Sequence, residues 1–404
     1  MKCGACSAVC PSFRQDRRES QSPRGRIALI EAVLDGRLAV SDLYQDRLAT
    51  CAGCMACEGQ CASGVPVTSI ILAAKEQAVQ ESGAGIVQSV LAGALRHEAV
   101  MRSLSWLAPV ALHFSKGSVA GGGAGQGSRK IRNADYGMRN GSGQQVAARK
   151  KVIFYPGCAI RHFQQDIQQS TAAVLEHLGY HVVIPDDLKC CGRPFLSLGD
   201  RDGARNLAEQ NTRVLAALDA EAVVTACASC GMTFKRDYPE LLSRSGIRPA
   251  AVMDIHEFLA DKLAASDLST PLHGRITWHD PCHLGRGQGL AKTARSVVRR
   301  IPGVMLVEMD RPDQCCGFGG LMRAVHPALS RGIGRSKARD IIATGAATVL
   351  TGCPGCRMQI ADSLRLEGAE VAVMHTVQVI EAALRSAECG VQSAEDREIE
   401  KVRN

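Results

Sequence analysis

The chain has 404 residues, of which 46% are hydrophobic and 4% aromatic, with 18 cysteines and a formal net charge of +8. That length calls for two or three domains, and so few aromatics argue against a stacking surface, so no nucleic-acid partner is expected. Clustered cysteines behind no signal-peptide pattern read as metal ligation in a reducing compartment rather than as a disulfide scaffold, which predicts a cytoplasmic protein. No apolar run has the roughly 18 residues that a membrane span needs. The best candidate, residues 104–114, contains Pro109 and can lie on a membrane or an interface without crossing.

The N-terminal segment reads Cys3-Gly-Ala-Cys6-Ser-Ala-Val-Cys10-Pro11 and is followed by Arg14, Arg17, Arg18, Arg24 and Arg26. Those arginines suit either a solvated basic face or attraction to anionic lipid headgroups or an acidic partner. From Arg26 the spacing of Ile27, Ile30, Leu34 and Leu38 predicts a helix with those four on one face, ending near Gly36. Next comes Cys51-Ala-Gly-Cys54-Met-Ala-Cys57-Glu-Gly-Gln-Cys61, the bacterial ferredoxin spacing C-x2-C-x2-C-x3-C. In that spacing three cysteines hold one cubane and the fourth serves another. Cluster two is therefore assigned Cys10, Cys51, Cys54 and Cys57, and cluster one Cys3, Cys6 and Cys61. The first cysteine of motif one would stand just before Met1. The start thus reads as truncated, with three protein ligands left for cluster one, which suits a three-iron cluster or a labile fourth iron. Zinc accepts paired C-x2-C ligands but does not require the third in-line cysteine. A further helix is expected from Val67 to Gln80.

Residues 1–100 form the expected cluster domain, and 101–150, rich in Gly, Ser and Arg, a flexible linker. The rest is duplicated. Cys158, Cys190, Cys191, Cys227 and Cys230 recur 124 to 126 residues later as Cys282, Cys315, Cys316, Cys353 and Cys356. This divides the chain into a first repeat over 151–270, a second over 271–390 and a charged tail over 391–404. Short apolar runs end just before Cys158, Cys227, Cys282 and Cys353 and alternate with helical stretches, which predicts βα units and a mostly parallel sheet. Cys227 and Cys353 should open helices, whose amides favour thiolate, and the five cysteines of each copy should converge on a pocket. The glycines of Gly285-Arg-Gly-Gln-Gly289 lack the nucleotide-binding spacing and read as a turn. Arg193 and Pro194 read as loop-shaping, and His256, His279, His283 and His375 as packed histidines near the repeats. Cys389 reads as a spare thiol.

Three chemistries fit the repeats: an iron–sulfur cluster, a zinc site that would leave the vicinal pair without a role, and a dithiol/disulfide centre, against which adjacency counts. Two ferredoxin motifs followed by two CCG repeats resemble the iron–sulfur subunit of glycolate oxidase, as does Pro23-Arg-Gly-Arg-Ile between the motifs. The repeats are also similar to the CCG subunit of heterodisulfide reductase. The resemblance implies an α+β protein: a mainly helical two-cluster domain followed by a duplicated α/β CCG module. It further implies two [4Fe-4S] clusters with further clusters in the repeats, FAD-containing dehydrogenase subunits and a membrane quinone as partners, and a peripheral place on the inner face of the membrane. The implied role is one-electron transfer in a glycolate or lactate dehydrogenase, with thiol/disulfide chemistry as the rival.

Overall fold

The computed structural model describes residues 3–96, 100, 149–320 and 322–384. Residues 104–114, Cys389, the tail and all but the last two residues of the expected linker lie outside them.

The N-terminal domain is helical among the described residues. Two short helices, Ala5–Val9 and Ala56–Gly59, begin inside the cysteine motifs in the same way: each is preceded by a left-handed residue, Gly4 (φ 81°) and Met55 (φ 57°). The helix Pro23–Leu34 starts three residues earlier than expected, because the Ser22 hydroxyl accepts the Gly25 amide and Pro23 occupies the first turn. It also stops early. Ile30 is buried, but Leu34 and Leu38 are exposed, so the predicted apolar face holds only over its first half. The helix Val67–Ser82 covers the motifs, and Ile30, Tyr44, Leu48, Ile71, Ala74 and Ala78 form this domain's core.

Each repeat is a four-stranded, wholly parallel sheet. In the first, β1 (Lys151–Phe154), β2 (His181–Val183), β3 (Ala222–Thr225) and β4 (Met253–Asp254) are ordered β2-β1-β3-β4. In the second, β5 (Gly274–His279), β6 (Val304–Val307), β7 (Thr348–Thr351) and β8 (Ala372–His375) are ordered β6-β5-β7-β8. The central strand pairs on both sides, Val152 with Val182 and Ala222, and Thr277 with Val307 and Val349. Strand order therefore reverses between β1 and β3 and between β5 and β7, which opens a crevice at their carboxyl ends. Cys158, Cys227, Cys282 and Cys353 all follow those ends.

The repeats clasp each other. The helix closing the first, Ile255–Lys262, packs on Ala291–Val298 of the second, and Thr376–Leu384 packs on Gln165–His177 of the first. Arg300 fixes one crossing by donating to the carbonyls of Leu259, Ala260 and Leu263. One continuous apolar core, from Val152 to Leu384, runs through both sheets.

Candidate iron–sulfur centre

Cys10, Cys51, Cys54 and Cys57, the set assigned to cluster two, line one small pocket together with Pro11 and Arg26. Arg26 is not part of a surface basic face, as its neighbours are. It is 1% exposed, and it donates Nε to the Arg47 carbonyl at 2.9 Å and Nη2 to the Thr50 hydroxyl at 2.7 Å. Its Nη1 lies 4.0 Å from Cys10 Sγ. Burial pushes the Cys10 and Cys57 thiols up, and at Cys10 the Arg26 charge opposes it. Cys3 and Cys6 lie near the Arg24 guanidinium. Cys61 accepts N–H groups from Val65, Ser63 and Gly64, which hold its pKa down.

The two repeats share a single cavity of about 270 Å3, whose walls include Cys158, Cys191, Cys227, Cys230, Cys282, Cys315, Cys316, Cys353 and Cys356. The expectation was a pocket for each copy; the exchange of closing helices turns the crevices of the two sheets toward each other. Cys190 faces a neighbouring cavity that it lines with Cys158. Sulfur atoms approach at 3.5 Å for Cys158 and Cys190 and at 3.4 Å for Cys316 and Cys356. Cys227 and Cys353 meet in thiol contact between the repeats. Both are the N-cap residues of their helices, as expected. The glycine of each CCG, Gly192 (φ 89°) and Gly317 (φ 91°), takes a left-handed turn that an L side chain disfavours.

The ferredoxin-type domain supplies the roof. Cys51, Ala52 and Gly53 line the shared cavity, and Cys54 is in thiol contact with Cys315. That contact, reinforced by the Arg286 charge, lowers the Cys54 pKa to about 6. The loop is held by donors from the second repeat: Arg286 Nε to the Cys54 carbonyl at 3.1 Å and His283 Nε2 to the Gly53 carbonyl at 3.3 Å. His283 Nδ1 meets the Ser229 hydroxyl at 2.8 Å. Burial, with the Arg193 charge adding, lowers the His283 pKa to about 4 and keeps the ring neutral.

Sequence reasoning missed several of these roles. The glycine-rich segment containing Arg286 forms the helix Cys282–Gln288, with Gly289 as its left-handed cap, instead of a turn. Arg193 and Pro194 open the helix Arg193–Leu198, and Arg193 lines the cavity while pairing with Asp237 at 3.1 Å. Lys75, on the opposite wall, donates to the Ser197 carbonyl, and burial lowers its pKa to about 8. His256 and His375 are packed and hydrogen-bonded as expected.

All cysteines among the described residues are free thiols. The cluster-two pocket offers sulfur donors and one offsetting guanidinium, with no carboxylate on its wall, a soft donor set that fits iron–sulfur and excludes hard cations. Bound clusters would supply one-electron redox chemistry, and the cysteines described here would hold them.

Residues 152–235 and 276–361 match the cysteine-rich domain family (CCG), and residues 1–65 match the 4Fe-4S dicluster domain. The chain thus carries a 4Fe-4S dicluster domain followed by two cysteine-rich (CCG) modules. It is 27% identical to the probable glycolate oxidase iron-sulfur subunit of Bacillus subtilis over 395 residues, 91% of this chain and 89% of that one. Identity to a fumarate reductase (CoM/CoB) subunit of Methanothermobacter marburgensis is 36% over 256 residues, 63% of this chain and 50% of the relative. A dihydromethanophenazine:CoB–CoM heterodisulfide reductase subunit of Methanosarcina barkeri is 32% identical over 249 residues, 59% of this chain and 60% of that one. The chain spans about half or less of the length of several of the curated relatives it matches. The glycolate oxidase, fumarate reductase and heterodisulfide reductase relatives are oxidoreductase subunits by name, and a redox, electron-transfer role for this chain agrees with its domains. No helix among the described residues is long and apolar enough to cross a membrane.

Proposed function

We propose that this chain is the iron–sulfur electron-transfer subunit of a flavin-linked 2-hydroxy acid dehydrogenase. It would take electrons from an FAD-containing subunit and pass them toward a membrane quinone from a peripheral position on the inner face of the cytoplasmic membrane. Glycolate is the favoured substrate of the complex, supported by the nearly full-length likeness to the probable glycolate oxidase subunit; lactate stands second. One observation carries the electron-transfer reading. The loop bearing Cys51 and Cys54 roofs the cavity of the repeat cysteines, with Cys54 against Cys315, so ligand sets from both halves of the chain adjoin without intervening solvent. The test is glycolate-dependent quinone reduction on co-expression with candidate flavoprotein subunits, with EPR of the anaerobic chain before and after dithionite. Failure of that reconstitution with clusters intact sinks the dehydrogenase assignment.

A second reading has its own support. Four cysteines of the first repeat and five of the second surround one cavity that Lys75 and Arg193 also line, an arrangement suited to an anionic thiol or disulfide. Disulfide reduction by this chain with an artificial donor, abolished by Cys315→Ser or Cys316→Ser, would favour it over the first.

A further inference from the structure

The two repeats differ at one buried position beside their cysteines. Tyr155 follows β1 three residues before Cys158, and His279 ends β5 three residues before Cys282, so the duplication makes them equivalent positions. Tyr155 lies near Cys190, Cys191 and Cys230, yet its hydroxyl donates to the Lys189 carbonyl at 2.6 Å and directs no proton at sulfur. The Thr233 hydroxyl, in contact with Cys191, donates to the Ser229 carbonyl at 2.9 Å, and the Arg193 backbone N–H also meets Cys191. In the second repeat Gln359 takes the place of Thr233, and its amide donates to the Ser330 carbonyl.

His279 has no such outlet. It is 1% exposed, and neither ring nitrogen has a partner, sulfur included, at ordinary hydrogen-bond distance and angle. A ring nitrogen and the sulfurs of Cys316 and Cys356 lie within 4.8 Å of one another, and the ring contacts the Cys316 thiol. An imidazole carries at least one N–H in either charge state, and leaving it unmet in the interior is costly. Among the described residues, the sulfurs of Cys316 and Cys356 are the acceptors that this geometry brings to it.

We propose that His279 donates an N–H···S hydrogen bond to the Cys316–Cys356 pair, where the first repeat instead has Tyr155 turned to the Lys189 carbonyl, and so makes the second repeat the more easily reduced cysteine-rich site. This rests on the reading that the repeats hold clusters. Reduction adds one electron without making or breaking a bond, and a fixed donor at sulfur stabilises the added negative charge. The second repeat is also the one that touches the ferredoxin-type motif through Cys54 and Cys315. The site nearest that motif is therefore the first to fill.

The test is an EPR-monitored redox titration of the anaerobically purified full chain as wild type, His279→Leu and His279→Gln, with iron content measured alongside. In His279→Leu one cysteine-rich-site signal should move to more negative potential while the ferredoxin-type signals stay in place. His279→Gln, which keeps an N–H donor, should recover part of the shift. Electron spin echo envelope modulation of wild-type protein carrying 15N-histidine should show weak nitrogen coupling to that signal, absent in His279→Leu; this covers the case in which the leucine variant folds poorly. An unmoved potential with full iron content, or no histidine coupling in the wild type, overturns the role of His279. A wild-type chain with only ferredoxin-type clusters overturns the cluster reading of the repeats and this inference with it.

Discussion

Gly317→Ala should cost about 2–5 kcal/mol and Gly192→Ala only about 1–2 kcal/mol, although they alter the same glycine of the two CCG motifs. The backbone component is equal, because φ is 91° at one and 89° at the other, and an L residue there loses about 1–2 kcal/mol. The surroundings separate them. A Cβ on Gly317 would stand 2.6 Å from the Ser330 carbonyl oxygen and 3.1 Å from the Gly334 nitrogen. That carbonyl is held by the Gln359 amide, and the Ser330 hydroxyl donates back to the Gly317 carbonyl at 2.8 Å, so the helix Pro327–Ile342 cannot retreat freely. Overpacking of this kind adds about 1–3 kcal/mol. A Cβ on Gly192 would meet Ala204 at 3.2 Å, a contact that a few tenths of an ångström relieve. At about 2–4 °C per kcal/mol for a module of this size, thermal unfolding by circular dichroism at one scan rate should separate the two variants by roughly 5 °C. Equal losses, or a larger loss at Gly192, would refute the argument.

If ligation is crossed, Cys10→Ser and Cys51→Ser should each abolish the same EPR signal and about four irons, whereas Cys61→Ser should remove the other ferredoxin-type signal; Cys10 grouping with Cys61 instead would sink the assignment. His375 donates Nε2–H to the Ala226 carbonyl and accepts the Val377 amide at Nδ1, and burial lowers its pKa from 6.5 to about 4. Below about pH 6.5 the unfolded chain binds a proton that the folded chain refuses, so stability is full above that pH and falls toward pH 4, by up to about 3 kcal/mol. The unfolding midpoint should therefore drop between pH 7 and pH 5 by more in wild type than in His375→Asn; parallel curves would count against it. Arg286→Met should cost about 1–3 kcal/mol by leaving the Cys54 and Asp313 carbonyls unmet, and should slow reduction of the repeats in stopped-flow; an unchanged rate would show that docking of the loop does not depend on Arg286.

Cysteine spacing was legible because ligand geometry is local: three sulfurs on one cubane need short, fixed intervals in the chain. The strands before Cys158, Cys227, Cys282 and Cys353 were legible for a related reason, since β-branched runs that end abruptly have few alternatives. Burial of a charge was not. Arg26 sits among exposed arginines in the sequence, and only the Arg47 carbonyl, the Thr50 hydroxyl and Cys10, distant along the chain, make its interior position tolerable. Leu34 and Leu38 misled because an apolar period says nothing about where a helix stops. Nor can a repeat reveal that its closing helices are exchanged, which is what merges two expected pockets into one.

Met55 shows how tightly the halves are joined. Among the described residues only it and Arg17 are non-glycines with positive φ, a conformation costing about 1–2 kcal/mol. Glycine fills the matching position of the first motif, Gly4, so the turn itself does not call for a side chain. The side chain's contacts lie across the domain boundary. Met55 is 5% exposed, its sulfur receives Arg236 Nη1 at 3.0 Å, and it reaches the space left by the missing side chain of Gly287. Burying a methionine contributes about 1.5–3 kcal/mol, enough to offset the strain. The strained residue thus lies between Cys54 and Cys57 and anchors their loop on the helix that begins at Cys282, which holds Cys54 against Cys315.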